Sequence, residues 1–524
     1  YLPISNFKIK LIKNFYIELI FLIFLGMVTS LSLPPLNYLF VNFITFSLFL
    51  IFLVKKSYAH KSKKLFFFYG WLFGFGYFST NLYWISISLT FDQNFKFLIP
   101  IIFILIPTFL ALFYGLVSYF FIILKPKKIV NSFLIFSLIF GIIEFIRGSI
   151  LTGFPWNLIA YSFSNQLEIL SIISIIGTYG LNLLCISLYA SPAIFILKDS
   201  RKDIGVFIFL IVTFIFFYFY GSQYMEKFYN ADKRIYDYKI RVVGSNISLD
   251  RFYSNVDSIA VIEDLLKISD PDKNEKIFFI WPEGIIPDIS QEELIEYNWL
   301  FNKKFNKNHI LGLGIHSQST KDGFTKYYNS FSVYDHKLNL LDSYNKVKLV
   351  PFGEFLPLEN ILKNIGLRSI TNNYQSFSNG NQRNIIKIKK ENYSLKILPL
   401  ICYEVIYPGK IFDKPDFDLI INISEDGWFG KSIGPKQHFT HSIFRAIENG
   451  KYVLRSANNG IAAVINPLGV IEKKVGFGES GYIDFNESRK IQPTVFFEYG
   501  NKIFGILILL YIFLIFSFNR INNE

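Results

Sequence analysis

Long apolar runs fill the first 221 residues of the chain, and a more polar region of mixed pattern follows them. Each run is long enough, or nearly so, to cross about 30 Å of hydrocarbon at about 1.5 Å per residue. We therefore predict seven membrane-spanning helices in this part, at 14–32, 38–54, 65–88, 98–124, 129–147, 168–197 and 204–221. Another apolar run near 502–518 predicts an eighth span.

Short β-rich runs mark the polar region between 222 and 500, at 240–247, 276–281, 309–316, 330–335, 394–402, 418–424 and 462–466. Helical patterns precede some of them, at 258–268 and 291–305. Strands that alternate with helices predict an α/β domain, and this region is long enough to bury a sizeable core. The chain thus divides into a membrane domain (1–221), an α/β domain (222–500) and a C-terminal span with its tail (501–524).

Positive charge alternates from loop to loop along the apolar part. Lysines and arginines cluster before the first span and after the second, fourth and sixth, at Lys8, Lys10, Lys13, Lys55, Lys56, Lys61, Lys63, Lys64, Lys125, Lys127, Lys128, Lys198, Arg201 and Lys202. The intervening loops carry little besides Lys96 and Arg147. Because positive loops remain in the cytoplasm, we expect the region 222–500 outside the cytoplasm and the C-terminus inside it.

Composition agrees with a membrane protein, since 52% of residues are hydrophobic and the mean hydropathy is +0.35. A net charge of +13 is also found in nucleic-acid-binding proteins. Here the lysines form short clusters beside the apolar runs, so we interpret them as membrane anchors and expect no nucleic acid partner. The two cysteines lie in different environments, Cys185 in an apolar run and Cys402 in the polar region, and we expect no disulfide between them.

Three reactive residue types follow predicted strands, which is where open α/β folds place reacting groups. They are Glu283, Lys346 and Cys402. A thiol can attack a carbonyl, a carboxylate can remove its proton, and an ammonium ion can stabilise the resulting oxyanion. Each residue also has an ordinary structural interpretation: Cys402 as a small core residue, Glu283 as a helix cap and Lys346 as a solvated loop residue.

The motifs around these residues resemble those of a known family. WPEG (281–284), KVKLVPFGEFLP (346–357) and CYE (402–404) are similar to the Glu–Lys–Cys signature of the carbon–nitrogen hydrolase, or nitrilase, superfamily. DGWFG (426–430), RAIENGKYVLRSANNG (445–460), LSLPP (31–35), GFGYFSTNLYW (74–84) and EFIRGSILTGFPWN (144–157) resemble its membrane-bound apolipoprotein N-acyltransferase branch. The implied fold is a polytopic helical membrane domain of about eight spans plus an extracytoplasmic nitrilase-like α-β-β-α sandwich.

The resemblance implies a role for each matching residue. Glu283 would be the general base, Lys346 the oxyanion-stabilising residue and Cys402 the nucleophile that carries an acyl group as a thioester. Glu354, Tyr403 and Glu404 would support this triad, and Trp428 and Trp156 would form a lid or line the substrate path. For Trp156, anchoring at the membrane surface is an equal alternative. One departure is the sequence Ser424, Glu425, Asp426, where the family pattern has Ser-Asn-Asp.

The implied reaction takes an acyl chain from a phospholipid such as phosphatidylethanolamine and transfers it to the α-amine of a diacylated apolipoprotein. We accordingly expect a monomeric multi-pass protein of the bacterial inner membrane, in contact with membrane lipids, with its catalytic domain facing the periplasm. No metal or organic cofactor is expected. The pair His438 and His441 lacks a third zinc ligand in the sequence, so we interpret both as structural or surface residues.

Two other functions fit parts of the sequence. A membrane-tethered nitrilase-type amidase would use the same triad but would hydrolyse a soluble amide. A transporter or sensor with an extracytoplasmic binding domain would form no covalent intermediate, and its Cys402→Ala variant would still function. The presence of glutamate, lysine and cysteine at matching positions argues against the transporter or sensor.

Overall fold

The computed structural model describes residues 15–520 except 60, 92, 125–127, 199, 254–255, 322, 358–375, 391–392, 410 and 413–415. The described helices are α1 (Phe15–Thr29), α2 (Phe40–Ala59), α3 (Lys63–Leu82), α4 (Ile99–Leu124), α5 (Ile129–Arg147), α6 (Leu167–Leu170), α7 (Ile173–Ala190), α8 (Ala193–Leu197), α9 (Ile204–Tyr229), α10 (Ser258–Ser269), α11 (Asn298–Phe301), α12 (Gly434–Asn449), α13 (Val495–Tyr499) and α14 (Lys502–Arg520). The predicted tail beyond α14 lies outside these residues.

Eight long helices correspond to the eight predicted spans: α1 to α5, α7, α9 and α14. Of the described helices, seven meet the length and hydropathy expected of a membrane span, and α3, with 20 residues, is not among them. Two predicted spans differ in detail from the structure. The span 168–197 is divided into α6, α7 and α8, and the span 65–88 ends as α-helix at Leu82 before a 3-10 segment.

Small residues and paired charges hold the membrane helices together. A Cβ at Gly76 in α3 would lie 2.0 Å from the carbonyl oxygen of Ile23 in α1, so only glycine allows this close approach. Glu144 and Arg147 in α5 form a fully buried ion pair with 2.6 Å between Arg147 Nη2 and Glu144 Oε2. The pairing matters because an unpaired charge in lipid is costly.

The strands β1 to β12 form two six-stranded sheets in the polar region. They are β1 (Lys233–Gly244), β2 (Ile277–Ile280), β3 (His309–Lys321), β4 (Phe324–Asp335), β5 (Leu340–Asn345), β6 (Ile386–Lys390), β7 (Tyr393–Ile401), β8 (Leu419–Glu425), β9 (Val453–Asn458), β10 (Ala462–Ile465), β11 (Ile471–Val475) and β12 (Gly481–Arg489). The strand orders are β12-β1-β2-β3-β4-β5 and β11-β10-β9-β8-β7-β6. The central pairs β1–β2–β3 and β7–β8–β9 are parallel.

Side chains along the central strands point alternately to the two faces of each sheet, and this alternation forms the layers of the α/β domain. In β2, Phe278 faces the core between the two sheets, whereas Ile277 and Phe279 face α10 and α11. In β8, Ile421 faces the inter-sheet core, and Ile420 faces α12 and the membrane helices. Strands buried on both faces are mostly apolar, which explains the nearly continuous apolar runs in the sequence, such as 277–280 in β2 and 419–421 in β8. The predicted α-β-β-α sandwich is thus present.

Helix α12 is both the outer layer of the second sheet and the contact of this domain with the membrane helices. Glu448 Oε1 accepts hydrogen bonds from the backbone N–H (2.8 Å) and hydroxyl (2.5 Å) of Thr178 in α7. At this point α7 is interrupted by Gly177, whose φ is +69°. A carboxylate from the α/β domain therefore caps the second half of a broken membrane helix.

Secondary structure departs from the prediction at 291–305. This segment contains only a 3-10 turn and the four-residue helix α11, not a continuous helix. Its apolar side chains Leu294, Leu300 and Phe301 still pack in the core on the outer face of the first sheet. The predicted helix at 291–305 is therefore wrong, since turns rather than one helix present these apolar side chains to the core.

Candidate active site

Strand ends bring the three predicted reactive residues together. Lys346 follows β5 directly, Glu283 lies shortly after β2, and Cys402 follows β7 in the other sheet. Lys346 Nζ donates to Glu283 Oε1 at 3.1 Å, and the charges of both groups act on the Cys402 thiol. The site therefore lies where the ends of the two sheets meet.

Lys346 is held as an ammonium ion between two carboxylates. Its Nζ also donates to Glu354 Oε1 at 2.9 Å, and the side chain is 1% exposed. Burial alone would lower the pKa of Lys346, but the charges of Glu283 and Glu354 outweigh it and raise that pKa well above its ordinary value. A fixed cation at this position can stabilise negative charge that develops on a substrate oxygen.

Asn329, on β4, is a site residue that the sequence interpretation missed. Its Nδ2 donates to Oε1 of Glu283 and to Oε1 of Glu354, each at 2.7 Å. The backbone N–H of Lys346 donates to the carbonyl oxygen of Asn329 at 2.8 Å. In the sequence, Asn329 is only an amide residue at the start of the buried half of β4. Such residues are too common to identify a site.

The thiol of Cys402 follows β7 at a turn with unusual backbone geometry. Cys402 has φ +46°, in the left-handed region that few non-glycine residues adopt. The residue is half-buried. Burial first and the charge of Glu283 second raise the pKa of the thiol well above its ordinary value, while Lys346 lowers it. The resting thiol is therefore protonated, and attack requires a base.

Glu404 joins the cysteine segment to the lysine segment. Its Oε2 accepts from the backbone N–H of Ile401 at 2.9 Å. Its Oε1 accepts from Tyr344 Oη at 2.7 Å and from the backbone N–H groups of Val347 and Lys348 at 3.0 and 3.2 Å. One fully buried carboxylate thus fixes the residues on either side of Lys346 relative to those on either side of Cys402.

Tyr403 extends from the nucleophile segment to the membrane domain. Its hydroxyl donates to the carbonyl oxygen of Gly153 at 3.1 Å, and the side chain is buried. Gly153 lies in the loop after α5, and Arg147 at the end of α5 donates to the carbonyl oxygen of Phe154 in the same loop. The residue next to Cys402 is therefore connected through this loop to the buried ion pair of α5.

His438 contacts the backbone of the nucleophile, which the sequence interpretation missed. Its Nε2 lies 3.2 Å from the carbonyl oxygen of Cys402, and its Nδ1 lies 2.9 Å from Asp426 Oδ1 and 3.1 Å from Arg455 Nη2. Burial first and Arg455 next lower the pKa of His438, against the opposing charge of Asp426. A carbonyl can only accept, so Nε2 of His438 carries a proton and donates to Cys402, while Nδ1 lies between a carboxylate that accepts and a guanidinium that donates.

Both histidines of the HxxH pair are buried, so the surface interpretation is wrong for them. Neither belongs to a group of three or more His, Cys, Asp or Glu side chains suited to a metal ion, as judged from the residues that the structure describes. His441 packs against Trp156 and Tyr161, and its Nδ1 has no hydrogen-bond partner among the residues that the structure describes. His441 is thus a packing residue, whereas His438 reaches the site.

Trp156 packs between the membrane helices and α12. Its ring stacks on His438 with 5.4 Å between centroids, and its Nε1 donates to Gln437 Oε1 at 2.8 Å. The side chain is 3% exposed, so it is not available to anchor the protein at the membrane surface. Trp156 instead stacks on His438, whose imidazole contacts the Cys402 carbonyl.

Glu425, where the sequence departs from the family pattern, is paired with a basic residue of the same chain. Glu425 forms a buried ion pair with Arg251, and Asn458 Nδ2 donates to Glu425 Oε2 at 2.7 Å. The backbone N–H of Glu425 donates to Glu283 Oε2 at 3.0 Å. The acidic side chain is therefore neutralised in place, while its backbone orients the candidate base.

Trp428 lies in the loop that follows and is partly exposed. Its ring stacks on Phe252 with 5.5 Å between centroids, and it meets Phe91 edge to face at 6.1 Å. Phe91 belongs to the segment between α3 and α4, so Trp428 bridges the α/β domain and the membrane domain.

Comparison with known proteins covers both halves of the chain. The sequence profile described as "Apolipoprotein N-acyltransferase N-terminal domain" matches residues 25–191, and the profile described as "Carbon-nitrogen hydrolase" matches residues 301–486. Apolipoprotein N-acyltransferase of Rhodopseudomonas palustris is 31% identical over 94% of this chain and 93% of its own length. The protein of the same name from Rickettsia prowazekii is 34% identical over 91% of this chain and 93% of its own length.

The chain belongs to the apolipoprotein N-acyltransferase family. As a member of it, the chain is a multi-pass bacterial membrane protein and an acyltransferase built on the nitrilase fold. Among solved structures, an amidase from Nesterenkonia sp. AN1 is 15% identical and covers 51% of this chain and 94% of its own, with a TM-score of 0.33. Because the relatives are acyltransferases by name, the tethered amidase is not favoured.

Proposed function

We propose that this apolipoprotein N-acyltransferase homologue moves an acyl chain from a phospholipid, such as phosphatidylethanolamine, to the N-terminal S-diacylglyceryl cysteine of apolipoproteins. The observation that carries the proposal is the single cluster of Glu283, Lys346 and Glu354 beside Cys402, in a chain whose relatives bear this name. We further propose that Glu283, Lys346 and Cys402 form the catalytic triad.

In the first half-reaction, Glu283 removes the proton of the Cys402 thiol, and the thiolate attacks the acyl ester carbonyl. The oxyanion that forms is stabilised by the ammonium group of Lys346. Collapse breaks the ester bond, and the proton held by Glu283 passes to the departing oxygen. A lysophospholipid leaves, and the acyl chain remains as a thioester on Cys402.

In the second half-reaction, the α-amine of the apolipoprotein attacks the thioester carbonyl. Glu283 accepts the proton that the amine loses, an amide bond forms, and the proton returns to the sulfur of Cys402. Since the first product leaves before the second substrate reacts, the kinetics are ping-pong. Glu354 holds Lys346, and Glu404 holds the two reacting segments in register.

The proposed location is the bacterial inner membrane with the catalytic domain in the periplasm. The α/β domain contacts the loops after α1, α3 and α5, through Gln437 to Pro34, Trp428 to Phe91 and Tyr403 to Gly153. These are the loops with few positive charges, which the positive-inside rule assigns to the periplasmic side. The domain boundaries 1–221, 222–500 and 501–524 remain predictions, as does the monomeric state.

A two-substrate assay tests the proposed function. Purified full-length protein is incubated in detergent with phosphatidylethanolamine and a synthetic peptide that bears an S-diacylglyceryl N-terminal cysteine. Mass spectrometry should show the peptide gaining one acyl chain on its α-amine, and lysophospholipid should appear in equal amount. A peptide acetylated at its α-amine is the control and should gain nothing. Acyl release as free fatty acid, with no peptide product, would instead mark a hydrolase.

A further inference from the structure

A cavity of about 310 Å³ lies beside the candidate active site. Val347, Lys348, Arg383, Tyr407, Pro408 and Gly409 contribute to its wall. Val347 follows Lys346, and Glu404 accepts from the backbone N–H groups of both Val347 and Lys348. The cavity therefore shares its wall with the segments that hold Lys346 and Cys402, without containing either side chain.

The cavity borders the ends of two predicted membrane-spanning helices, α5 and α14. Its Tyr407 hydroxyl donates to the carbonyl oxygen of Thr152, in the loop after α5, at 3.0 Å. Its Pro408–Gly409 wall contacts Asn501, the residue directly before α14: a Cβ at Gly409 would lie 2.8 Å from Asn501 Nδ2. Two membrane-domain elements thus border the cavity where the chain leaves the bilayer.

Two cations line the cavity, and no carboxylate among the described residues neutralises their charge. Lys348 is exposed, and its Nζ lies 5.6 Å from the centroid of the Tyr407 ring. Arg383 is half-buried, and its Nη1 donates to the carbonyl oxygen of Ile411 at 3.3 Å. Within the described ranges, neither forms a salt bridge with Asp or Glu.

A lysine and an arginine at a membrane surface suit a phosphodiester, which carries one negative charge and several acceptor oxygens. We propose that this cavity binds the phosphodiester of the acyl-donor glycerophospholipid, with Lys348 and Arg383 as its partners. The proposal rests on the proposed function, because it requires a phospholipid as the donor. A phosphate fixed here would hold the donor's ester carbonyls, which are a few bonds from the phosphate, beside the segments that carry Lys346 and Cys402.

The double variant Lys348→Gln/Arg383→Gln tests the proposal. Exposed charge pairs contribute modestly, so the KM for phosphatidylethanolamine should rise about 5- to 20-fold, and kcat should stay within about 3-fold. With diacylglycerol as a donor that lacks phosphate, the same variant should match the wild type. The control Lys387→Gln/Lys389→Gln removes two exposed lysines from β6, outside the cavity wall, and should leave both KM values unchanged.

A binding measurement separates this proposal from the proposed function. The affinity of fluorescent phosphatidylethanolamine is measured in detergent for full-length proteins that all carry Cys402→Ala, so that no acyl transfer occurs. These proteins differ only in whether they also carry the cavity or the control substitutions. A 5- to 20-fold loss of affinity, by the same reasoning about exposed pairs, is expected only in the cavity variant. This loss would support the cavity even if the wild type formed no thioester, in which case the proposed function alone would fail.

Three results would overturn the proposal. The first is a wild type that transfers acyl chains while the cavity variant keeps its KM and affinity for phosphatidylethanolamine. The second is that inorganic phosphate binds to the wild type and not to the cavity variant, with phospholipid affinity the same in both. The cavity would then be a site for free phosphate. An equal rise in KM for diacylglycerol would also contradict a role in binding phosphate.

Discussion

Cys402 carries its thiol between a carboxylate and an ammonium ion that act on it in opposite directions. Burial and the charge of Glu283 raise the pKa of the thiol, and Lys346 lowers it. A raised pKa keeps the thiol protonated and unreactive until a base acts, which protects it when no substrate is bound. The arrangement therefore ties nucleophile activation to proton removal by Glu283.

Glu283→Gln removes a charge that raises the pKa of Cys402, so the pH at which the thiol becomes reactive should fall. Lys346→Met removes a charge that lowers the pKa, so that pH should rise. The rate of iodoacetamide modification of Cys402, followed by peptide mass spectrometry across neutral to alkaline pH, measures both inflections. Shifts of the two variants in the same direction would contradict the account.

His438 holds the backbone of Cys402, so its loss should misplace the thiol without removing any reacting group. His438→Leu should slow acylation of Cys402 at saturating phospholipid by about 100-fold, the usual cost of a misplaced catalytic group. His438→Gln retains an N–H donor and should recover much of the rate. His441→Leu, equally buried on the same helix, should lose no more than about 3-fold.

Melting temperatures of these three variants separate positioning from stability. His438→Leu and His441→Leu each replace a buried imidazole on α12, so comparable thermal shifts are expected from both. If His441→Leu loses as much acylation rate as His438→Leu, the hydrogen bond to the Cys402 carbonyl has no special role. Failure of His438→Gln to recover any rate leads to the same conclusion.

The sequence pointed to Glu283, Lys346 and Cys402 as candidates, because each follows a strand and the motifs around them resemble a known family signature. It was not sufficient to single out Asn329, His438 or Arg251. Their importance arises from contacts across the sheets: Asn329 bridges two glutamates, and Arg251 neutralises Glu425 from 174 positions away. Ordinary residue types acquire such roles only when distant segments fold together.

At the scale of elements, α7 illustrates how the two domains depend on each other. Gly177 interrupts the helix, and Glu448 of α12 caps the half that begins at Thr178. Without that cap, N–H groups freed by the break would be exposed to lipid, which costs several kcal/mol per group. The break is therefore tolerated only because the α/β domain is docked.

Gly177→Ala should destabilise the protein, since the residue has φ +69° and a Cβ there would lie 2.0 Å from Phe496 Cε2. Backbone strain and overpacking together cost about 2 kcal/mol or more, so the melting temperature should fall by several degrees. Gly205→Ala in α9 is the matched control, because no atom lies within 4 Å of its Cβ position. A variant Gly177→Ala that melts like Gly205→Ala would contradict the role of the break.

Most strands buried on both faces were predicted, with β9 as an exception, and the strands at the sheet edges were missed. β2 is a continuous apolar run and β8 begins with one, and both were predicted. The edge strands β6 and β11 carry lysines on their exposed positions and were missed. Charges protect a sheet edge from pairing with other chains, and this protection removes the apolar signal.

At the scale of the whole molecule, the charge alternation and the fold agree on one arrangement. The loops poor in positive charge are those that meet the α/β domain. The topology expected from the sequence therefore puts the candidate site on the non-cytoplasmic side of the membrane that the helices span. The docking itself was not predictable, since it depends on shape and on buried contacts such as Trp156 to Gln437.

This arrangement explains why a nitrilase fold would be joined to eight long helices. Substrates held in the bilayer by their acyl chains can reach Cys402 only at the membrane surface. The cavity with Lys348 and Arg383 is the site proposed for the phosphate of such a substrate. A soluble amide would require neither the helices nor the basic cavity. The central claim is therefore that Cys402 takes its acyl group directly from a membrane phospholipid.

Intact-mass analysis after incubation with phosphatidylethanolamine of one defined acyl chain tests this claim most directly. The account predicts a mass increase equal to that acyl group less one hydrogen, located on Cys402 by peptide mapping and removed by neutral hydroxylamine. The Cys402→Ala variant should show no increase, although Cys185 is still present. An unmodified wild-type protein, or an acyl group located on any other residue, would contradict the account.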